Sequence, residues 1–344
     1  MTTADQPQKA ARATIVDVAR EAGVSVATVS KVINGRYGVA EATSERVLAV
    51  IDDLGYESSL VASSLRRKRT GVIGVLVAEF EPYSAELLKG ISAGLAGTGY
   101  ELMAHAGSTD VHSRSGWERR SLSRLGRTLI DGAIVVTPSM LITDQAGIPV
   151  VAVDPHTGPD GPATVDSDNI HGARMAADHL LSLGHRRIAF LGGRPDLRSA
   201  QLREEGFRTA FFAAGLTPDP DLMKVGGYHP DLAEAPAREL LTMPAETRPT
   251  AIFAANDLSA LKVLEIAGEL GLRVPEDVSV IGYDNVPESA SSTPPLSTVA
   301  QPLHEMGVTA LRILLAMLAG QTIERHVRMP TELVVRASTA PPRG

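Results

Sequence analysis

The 344-residue chain contains no cysteine, which excludes disulfide scaffolds, thiolate zinc sites and cysteine nucleophiles and fits a reducing, intracellular setting. Aromatic residues make up only 4% of the sequence, with a single tryptophan, so a site that needs a flat apolar face must draw on few candidates. No apolar run is long enough to cross a bilayer, and the opening MTTADQPQKAARA carries no secretory h-region. A cytoplasmic protein without membrane contact is expected. Catalytic signatures are missing too: there is no G-x-S-x-G elbow, Walker A or H-E-x-x-H pattern. The glycine-rich GLAGTG (94–99) and FLGGRP (190–195) lack the spacing and placement of a dinucleotide fingerprint. Among the nine histidines only His179 and His185 approach ligand spacing, and they flank a Leu-Gly turn as surface or capping groups. No enzymatic activity, metal or cofactor is expected.

What is present is a chain able to bury large cores, 44% hydrophobic and 21% charged, and long enough for two or three domains. Its net charge of −7 is divided unevenly. Residues 1–70 carry ten basic and eight acidic side chains, hence +2, whereas 71–344 carry 23 against 32, hence −9. At the seam, Arg66, Arg67, Lys68 and Arg69 are consecutive, with no acid between Val61 and Thr70. Alone, such a run reads as a solvated linker.

Between Thr14 and Leu54 the pattern is of three short helices. Thr14, with Asp17 three residues on, can cap the first, and Gly23 lets the chain turn left-handed out of it. Ser25 caps a second, whose Val29, Val32 and Ile33 share a face with Val24 inward, and Asn34-Gly35 stops it. A third, about 42–54, turns Val47, Val50, Ile51 and Leu54 inward and ends at Gly55. That packing leaves Val26, Ala27, Thr28, Ser30 and Lys31 near the exposed start or flank of the second helix. Small side chains there let a helix sink into a major groove and reach base edges, although a helical hairpin can also be a mere packing unit.

From Gly71 onward the texture becomes strand–helix alternation. VIGVLV (72–77), YELMAHA (100–106), GAIVV (132–136), PVVAV (149–153), RIAFLGG (187–193), TAIFAA (250–255) and VSVIGY (278–283) are unbroken apolar runs, as strands buried on both faces require. Helical stretches lie between most of them, at 85–95, 171–183, 201–214 and 258–270. Seven such strands over this length predict two doubly wound parallel-sheet lobes.

The run TIVDVAREAGVSVATVSKVING (14–35), continued by VAEATSERVLAVIDDLGY (39–56) and VASSL (61–65), closely resembles the headpiece of the lactose/galactose repressor (LacI/GalR) family of bacterial transcription regulators. The resemblance implies a disordered tail at 1–13, a helix-turn-helix DNA-binding headpiece at 14–57 and a hinge helix or linker at 58–70. Val26 and Ala27 become the base-edge readers, with Lys31 one turn later, and Ser25, Thr28, Ser30 and Asn34 turn toward phosphates. Side chains without hydrogen-bond donors can recognise a thymine methyl or an absence of bulk, so direct readout there is modest. In the hinge, Leu65 becomes a minor-groove wedge, and the cations from Arg66 to Arg69 neutralise phosphates beside the kink. Two departures stand out: Ala40 replaces a frequent capping Ser, and Glu57-Ser58-Ser59 replaces a frequent Pro.

Residues 71–339 resemble the family's effector domain, itself similar to periplasmic sugar-binding proteins. This implies an α/β periplasmic-binding-protein-like body of two doubly wound lobes. Lobe 1 takes about 71–162 and 297–324, and lobe 2 about 163–294 and 325–339. The three crossings are expected near Ala163, Pro294–Thr298 and Ile323–His326, with the tail RHVRMPTELVVRAST (325–339) returning to lobe 2 as its last strand. Ligand then sits at the carboxyl ends of the strands. Matching pocket positions are Glu79, Tyr83, Asp154, Asp168, Ser199, Arg203, Tyr228, Asn256 and Asp284. Here Arg203 grips the ligand and Tyr228 stands where relatives carry a stacking aromatic. Asp168 and Asn256 also read as helix caps. Trp117, on an amphipathic helix, reads as packing rather than ring stacking.

The function expected is a homodimeric repressor of carbohydrate-utilisation genes. It binds a pseudo-palindromic operator in double-stranded DNA and is released by a mono- or oligosaccharide inducer. The alternatives are a regulator that needs a nucleobase or other metabolite as co-repressor and, from another class, a sugar-binding transport protein, which would have no use for residues 14–65. The family's tetramerising leucine repeat is absent, the tail after Ser338 being TAPPRG.

Overall fold

A computed structural model describes residues 13–33, 38–54, 69–107, 116–126, 128–142, 147–158 and 160–343. The chain divides into two compact units at Thr70/Gly71.

In the first unit, α1 (Ile15–Glu21) opens with a capping box. The Thr14 backbone N–H donates to Asp17 Oδ2 at 2.9 Å, and the Asp17 N–H donates back to Thr14 Oγ1 at 3.4 Å. Helix α2 (Val26–Ile33) follows a turn at Gly23, whose φ of 65° suits a residue without Cβ. Ser25 caps α2 by accepting from the Thr28 N–H at 3.1 Å. Helix α3 (Glu41–Asp53) starts at Ala40 with no side-chain cap, as the sequence departure implies. The core is small: Val18, Ala19, Ala22, Val29 and Val47, flanked by Ile15, Val24, Val32, Ile33, Val50 and Ile51. Leu54, expected inward, is 38% exposed, because it follows the last helical turn and no longer shares the buried face. With so few buried side chains, each cap weighs heavily. Thr14→Ala is expected to destabilise the isolated head by about 1 kcal/mol, read as a lower urea midpoint in circular dichroism.

The second unit holds two six-stranded sheets. The first contains β1 (Val72–Val77), β2 (Glu101–Ala106), β3 (Gly132–Val136), β4 (Val150–Val153), β5 (Ala163–Ser167) and β11 (His326–Met329), in the order β11-β5-β4-β3-β1-β2. The second contains β6 (Ile188–Gly192), β7 (Met223–Val225), β8 (Ala251–Ala254), β9 (Ser279–Asp284), β10 (Ser297–Ala300) and β12 (Glu332–Val334), in the order β12-β10-β9-β8-β6-β7. All pairings are parallel except β10 with β12.

Helices cover both faces of each sheet. On the first, α4 (Pro82–Gly94) and α11 (Leu303–Leu318) bury Leu87, Ile91, Met306, Leu311 and Leu314 against β1, β3 and β4, while α5 (Trp117–Leu125) packs Trp117, Leu122 and Leu125 on the other face. Trp117 is therefore a packing residue, 7% exposed. On the second sheet, α6 (Asn169–Ser182) and α7 (Arg198–Ala213) enclose a cluster of Phe190, Phe207, Phe211 and Phe253, whereas α8 (Pro230–Leu241) and α9 (Asp257–Glu269) cover the reverse. A short helix, α10 (Pro287–Ser291), follows β9.

The lobe boundaries fall later than the crossings expected near Ala163, Pro294–Thr298 and Ile323–His326 from the family resemblance. β5 still belongs to the first sheet, β10 to the second and β11 to the first, so the crossings follow Ser167, Ala300 and Met329. The reason is composition. ATVDS, STVA and HVRM are short and polar at their ends, and an apolar-run criterion stops before them.

Candidate functional site

In the first unit, α2 presents Ser25, Val26, Ala27 and Lys31 to solvent, with Thr28 and Ser30 half-buried. Its opposite face carries the buried Val29. The amino end of α2 is thus a surface of small side chains with one cation a turn further on, the shape that a groove-reading helix needs. The hydroxyls of Ser25 and Thr28 are bonded to each other at 2.9 Å. Asn34, Leu65 and Arg66 lie outside the described residues.

In the second unit, a cleft of about 900 Å³, including its open mouth, lies at the carboxyl ends of the central strands. The loop after β1 contributes Glu79 and Glu81, and the first turn of α4 contributes Tyr83. Thr137 follows β3, and Asp154 and His156 follow β4. From the other lobe come Ser199 and Arg203 on α7, Tyr228 before α8, Asn256 at the start of α9 and Asp284 at the end of β9. Eight of the nine expected pocket positions converge here.

The ninth does not. Asp168 caps α6 by accepting from the His171 N–H at 3.1 Å and is absent from the cleft wall. A carboxylate directly before a helix meets an unpaired backbone donor three residues on, and that local bond fixes its orientation. Asn256 does both jobs: its Oδ1 accepts from the Ser259 N–H at 3.1 Å, while its Nδ2 donates to the Tyr228 carbonyl at 3.0 Å from the cleft wall. Glu81, Thr137, His156, Arg194, Leu197, His229, Leu258 and Val286 also line the cleft and were not singled out from the sequence. Five of them lie one or two residues beyond a position that was: Glu81, His156, His229, Leu258 and Val286.

Arg203 is the electrostatic centre. It is 3% exposed, with Nε donating to Asn169 Oδ1 at 2.8 Å and Nη1 to the Ala255 carbonyl at 2.5 Å. Nη1 also lies 3.4 Å from Asp284 Oδ1. The guanidinium stacks 3.8 Å from the centroid of Tyr283 and 5.4 Å from that of Tyr228. Burial alone would depress its pKa, but Tyr228, Asp284, Tyr283 and Asp154 outweigh it, and Arg203 stays charged. Asp284 is pushed up to about 6 by burial, with Arg203 and Gln301 pulling the other way. Burial also raises Tyr83 well above its ordinary range and lowers His156.

Backbone strain gathers at the same place. Among the described residues, non-glycine positive φ occurs at Thr137 (45°), Asp154 (46°), Tyr228 (66°), Asp284 (114°) and Asn285 (58°). The first four line the cleft and the fifth follows directly. Strain held only at a ligand cleft marks a site whose side chains are aimed at some cost to folding.

Glu81 gives the cleft a pH signature. Burial first, then the charges of Asp284 and Glu79, push its carboxyl up to about 7 from an ordinary 4.5. Because the folded value is raised, this group costs no stability below about pH 4.5. The penalty grows as pH rises through 7, where the buried carboxyl must ionise. The Tm difference between Glu81→Gln and the parent should therefore rise in favour of the variant between pH 5 and 8. A flat difference would place Glu81 in open solvent.

Comparison with known proteins agrees with both units. Residues 14–59 match bacterial regulatory proteins of the lacI family, and residues 177–339 match a periplasmic binding protein-like domain. The HTH-type transcriptional repressor PurR of Aliivibrio fischeri is 36% identical over 338 residues, covering 95% of this chain and 98% of the relative. The HTH-type transcriptional regulator CelR of Thermobifida fusca is 36% identical over 344 residues, with the same coverages. Among solved structures, a CelR–cellobiose complex aligns with a TM-score of 0.68 and 33% identity over 95% of this chain and all of its own. A lac repressor dimer bound to operator and the anti-inducer ONPF aligns at 0.79 and 28%, over 96% of this chain and all of its own. No helix among the described residues is long and apolar enough to cross a membrane. A groove-reading head and a two-lobed body with a polar cleft, in one chain that matches these regulators along nearly its whole length, place it in the lacI family of bacterial regulatory proteins, as a sequence-specific DNA-binding transcriptional regulator.

Proposed function

We propose that the chain represses carbohydrate-utilisation genes as a homodimer and leaves its operator when a neutral mono- or oligosaccharide fills the cleft. The charge balance of the cleft carries this reading. Glu79, Glu81, Asp154 and Asp284 face it, and both arginines in its wall are already engaged. Arg203 is bonded as described above, and Arg194 is forked onto Asp196 at 3.1 and 2.6 Å. An anionic ligand would meet carboxylates with no uncommitted guanidinium to offset them, whereas sugar hydroxyls can donate to each carboxylate. The buried Tyr83 hydroxyl has no hydrogen-bond partner among the described residues, so a ligand hydroxyl can satisfy it. The half-buried Tyr228 supplies the aromatic face that a pyranose ring needs.

Val26 and Ala27 are proposed as base readers, Lys31 as a cation one turn on, and Ser25, Thr28, Ser30 and Asn34 as phosphate contacts. Leu65 and Arg66 keep the wedge and phosphate roles that the family resemblance gives them. A second reading rests on Leu197, Leu258 and Val286, which with the two tyrosines can enclose a flat ring. A nucleobase held there would act as a co-repressor and tighten operator binding.

Thermal-shift screening with cellobiose, monosaccharides, phosphorylated sugars and nucleobases tests the choice. A ligand at 100 times its Kd stabilises by about 2.7 kcal/mol. A neutral sugar that raises Tm and weakens operator binding supports the first reading. Stabilisation by phosphorylated sugars alone overturns it, and a nucleobase that stabilises the protein and tightens operator binding establishes the second.

A further inference from the structure

Asp284 Oδ1, which accepts from Arg203, has a second donor. Gln301, 5% exposed and placed where the chain crosses from β10 to α11, donates from Nε2 to Asp284 Oδ1 at 2.7 Å. Its Oε1 accepts from Ser167 Oγ at 2.5 Å. Ser167 is the last residue of β5, at the first crossing, and its carbonyl accepts from Asn169 Nδ2 at 3.2 Å. Asn169 Oδ1 accepts in turn from Arg203. The bonds close a ring, Arg203–Asn169–Ser167–Gln301–Asp284, in which every member is buried. The third crossing is tied to the first: the Asp168 N–H donates to the Met329 carbonyl at 3.0 Å, and Thr331 Oγ1 donates to the Asp168 carbonyl at 3.4 Å. Polarity is fixed all the way round. A carboxylate only accepts, so the Gln301 amide must turn its nitrogen to Asp284 and its oxygen to the Ser167 hydroxyl.

We propose that Gln301 is a positioning residue that joins effector recognition to the lobe hinge. It holds Asp284 in place beside Arg203 in the cleft and binds that same carboxylate to the crossing through which one lobe turns against the other. Gln301 does not line the cleft, so it acts through Asp284. A ligand that takes a share of Asp284 Oδ1 competes with the Gln301 donor, and the loosened amide releases Ser167 at the hinge. A methionine at 301 would keep the length and remove both bonds. A glutamate would set a second carboxylate against Asp284.

The inference rests on a ligand binding in this cleft, and its test separates that premise from the role of Gln301. Full-length protein and its Gln301→Met and Ser167→Ala variants are compared for operator affinity with and without saturating cellobiose. The ratio of the two affinities is expected to fall at least fivefold in both variants. A purely structural role would lower Tm and leave the ratio alone, so a ratio within twofold of the parent in both variants overturns the proposal. Where the parent itself does not respond to cellobiose, the sugar reading loses support and amide exchange of the ligand-free proteins decides the hinge role. Exchange at the Asp168 amide is expected to quicken about tenfold in Gln301→Met, or in Ser167→Ala should the first variant fail to fold. Unchanged exchange there overturns the proposal.

Discussion

Arg203→Ala is expected to abolish sugar release of the operator complex and to destabilise the effector body by about 3–5 kcal/mol, while the head still binds DNA. The size follows from what the guanidinium holds together. Among the described residues it is the only cation bonded to Asp284, a carboxylate 6% exposed, and it also serves Asn169 and the Ala255 carbonyl. Removing it leaves a buried carboxylate without its counter-charge and a buried amide oxygen without its donor, so the loss exceeds the worth of an ordinary ion pair. Arg203→Lys should recover little. An ammonium cannot reach three acceptors in one plane or stack flat on Tyr283, where the guanidinium lies 3.8 Å from the ring centroid. Urea melts of the body and calorimetric titration with the sugar found in the screen measure the two losses separately. Unchanged titration in Arg203→Ala would remove Arg203 from the recognition site.

Gly206→Ala should cost about 2–3 kcal/mol and weaken the effector response, although Gly206 does not touch the cleft. A Cβ there would stand 2.3 Å from the Ile170 carbonyl oxygen, 2.9 Å from Ala173 Cβ and 3.0 Å from the Arg174 nitrogen. Two of these are backbone atoms of α6, which no side-chain rotation can move, so α6 and α7 must separate. Arg203 lies one turn earlier on α7 and is bonded to Asn169, the first residue of α6, so the separation pulls on that bond. Gly268, near the end of α9, is the control. A Cβ there meets nothing within 4 Å, and Gly268→Ala should be neutral or stabilise by up to about 1 kcal/mol. Chemical denaturation measures both. Equal stabilities for the two variants would contradict the close packing of α6 on α7.

Most of this architecture was legible in the sequence wherever burial repeats with a fixed period. The capping box at Thr14 and Asp17, the Val29 face of α2 and six of the seven apolar strands are local patterns that tertiary structure kept, whereas β2, with Glu101 and His105, is a sheet edge and not buried on both faces. β5, β10 and β11 were harder to see. They carry polar residues such as Asp166, Ser297 and Arg328, and their place in a sheet depends on partners far away in sequence. The pocket followed the same division. Arg203 and Asp284 stand in motifs that family resemblance picks out, and the cleft brings them together. Asp168 was read both as a pocket position and as a cap, because a strand-end carboxylate looks alike in either role, and it is the cap that the structure shows. Gln301 left no signal: its importance comes from reaching Ser167 and Asp284 together, and neither contact is local.

The most direct test is footprinting of the full-length protein on genomic DNA fragments, with and without a panel of neutral sugars. The account predicts protection of a pseudo-palindrome that weakens steeply with salt and falls about 5- to 150-fold in affinity when the matching sugar is added. Equal, weak binding to every fragment, unchanged by any metabolite, would contradict it.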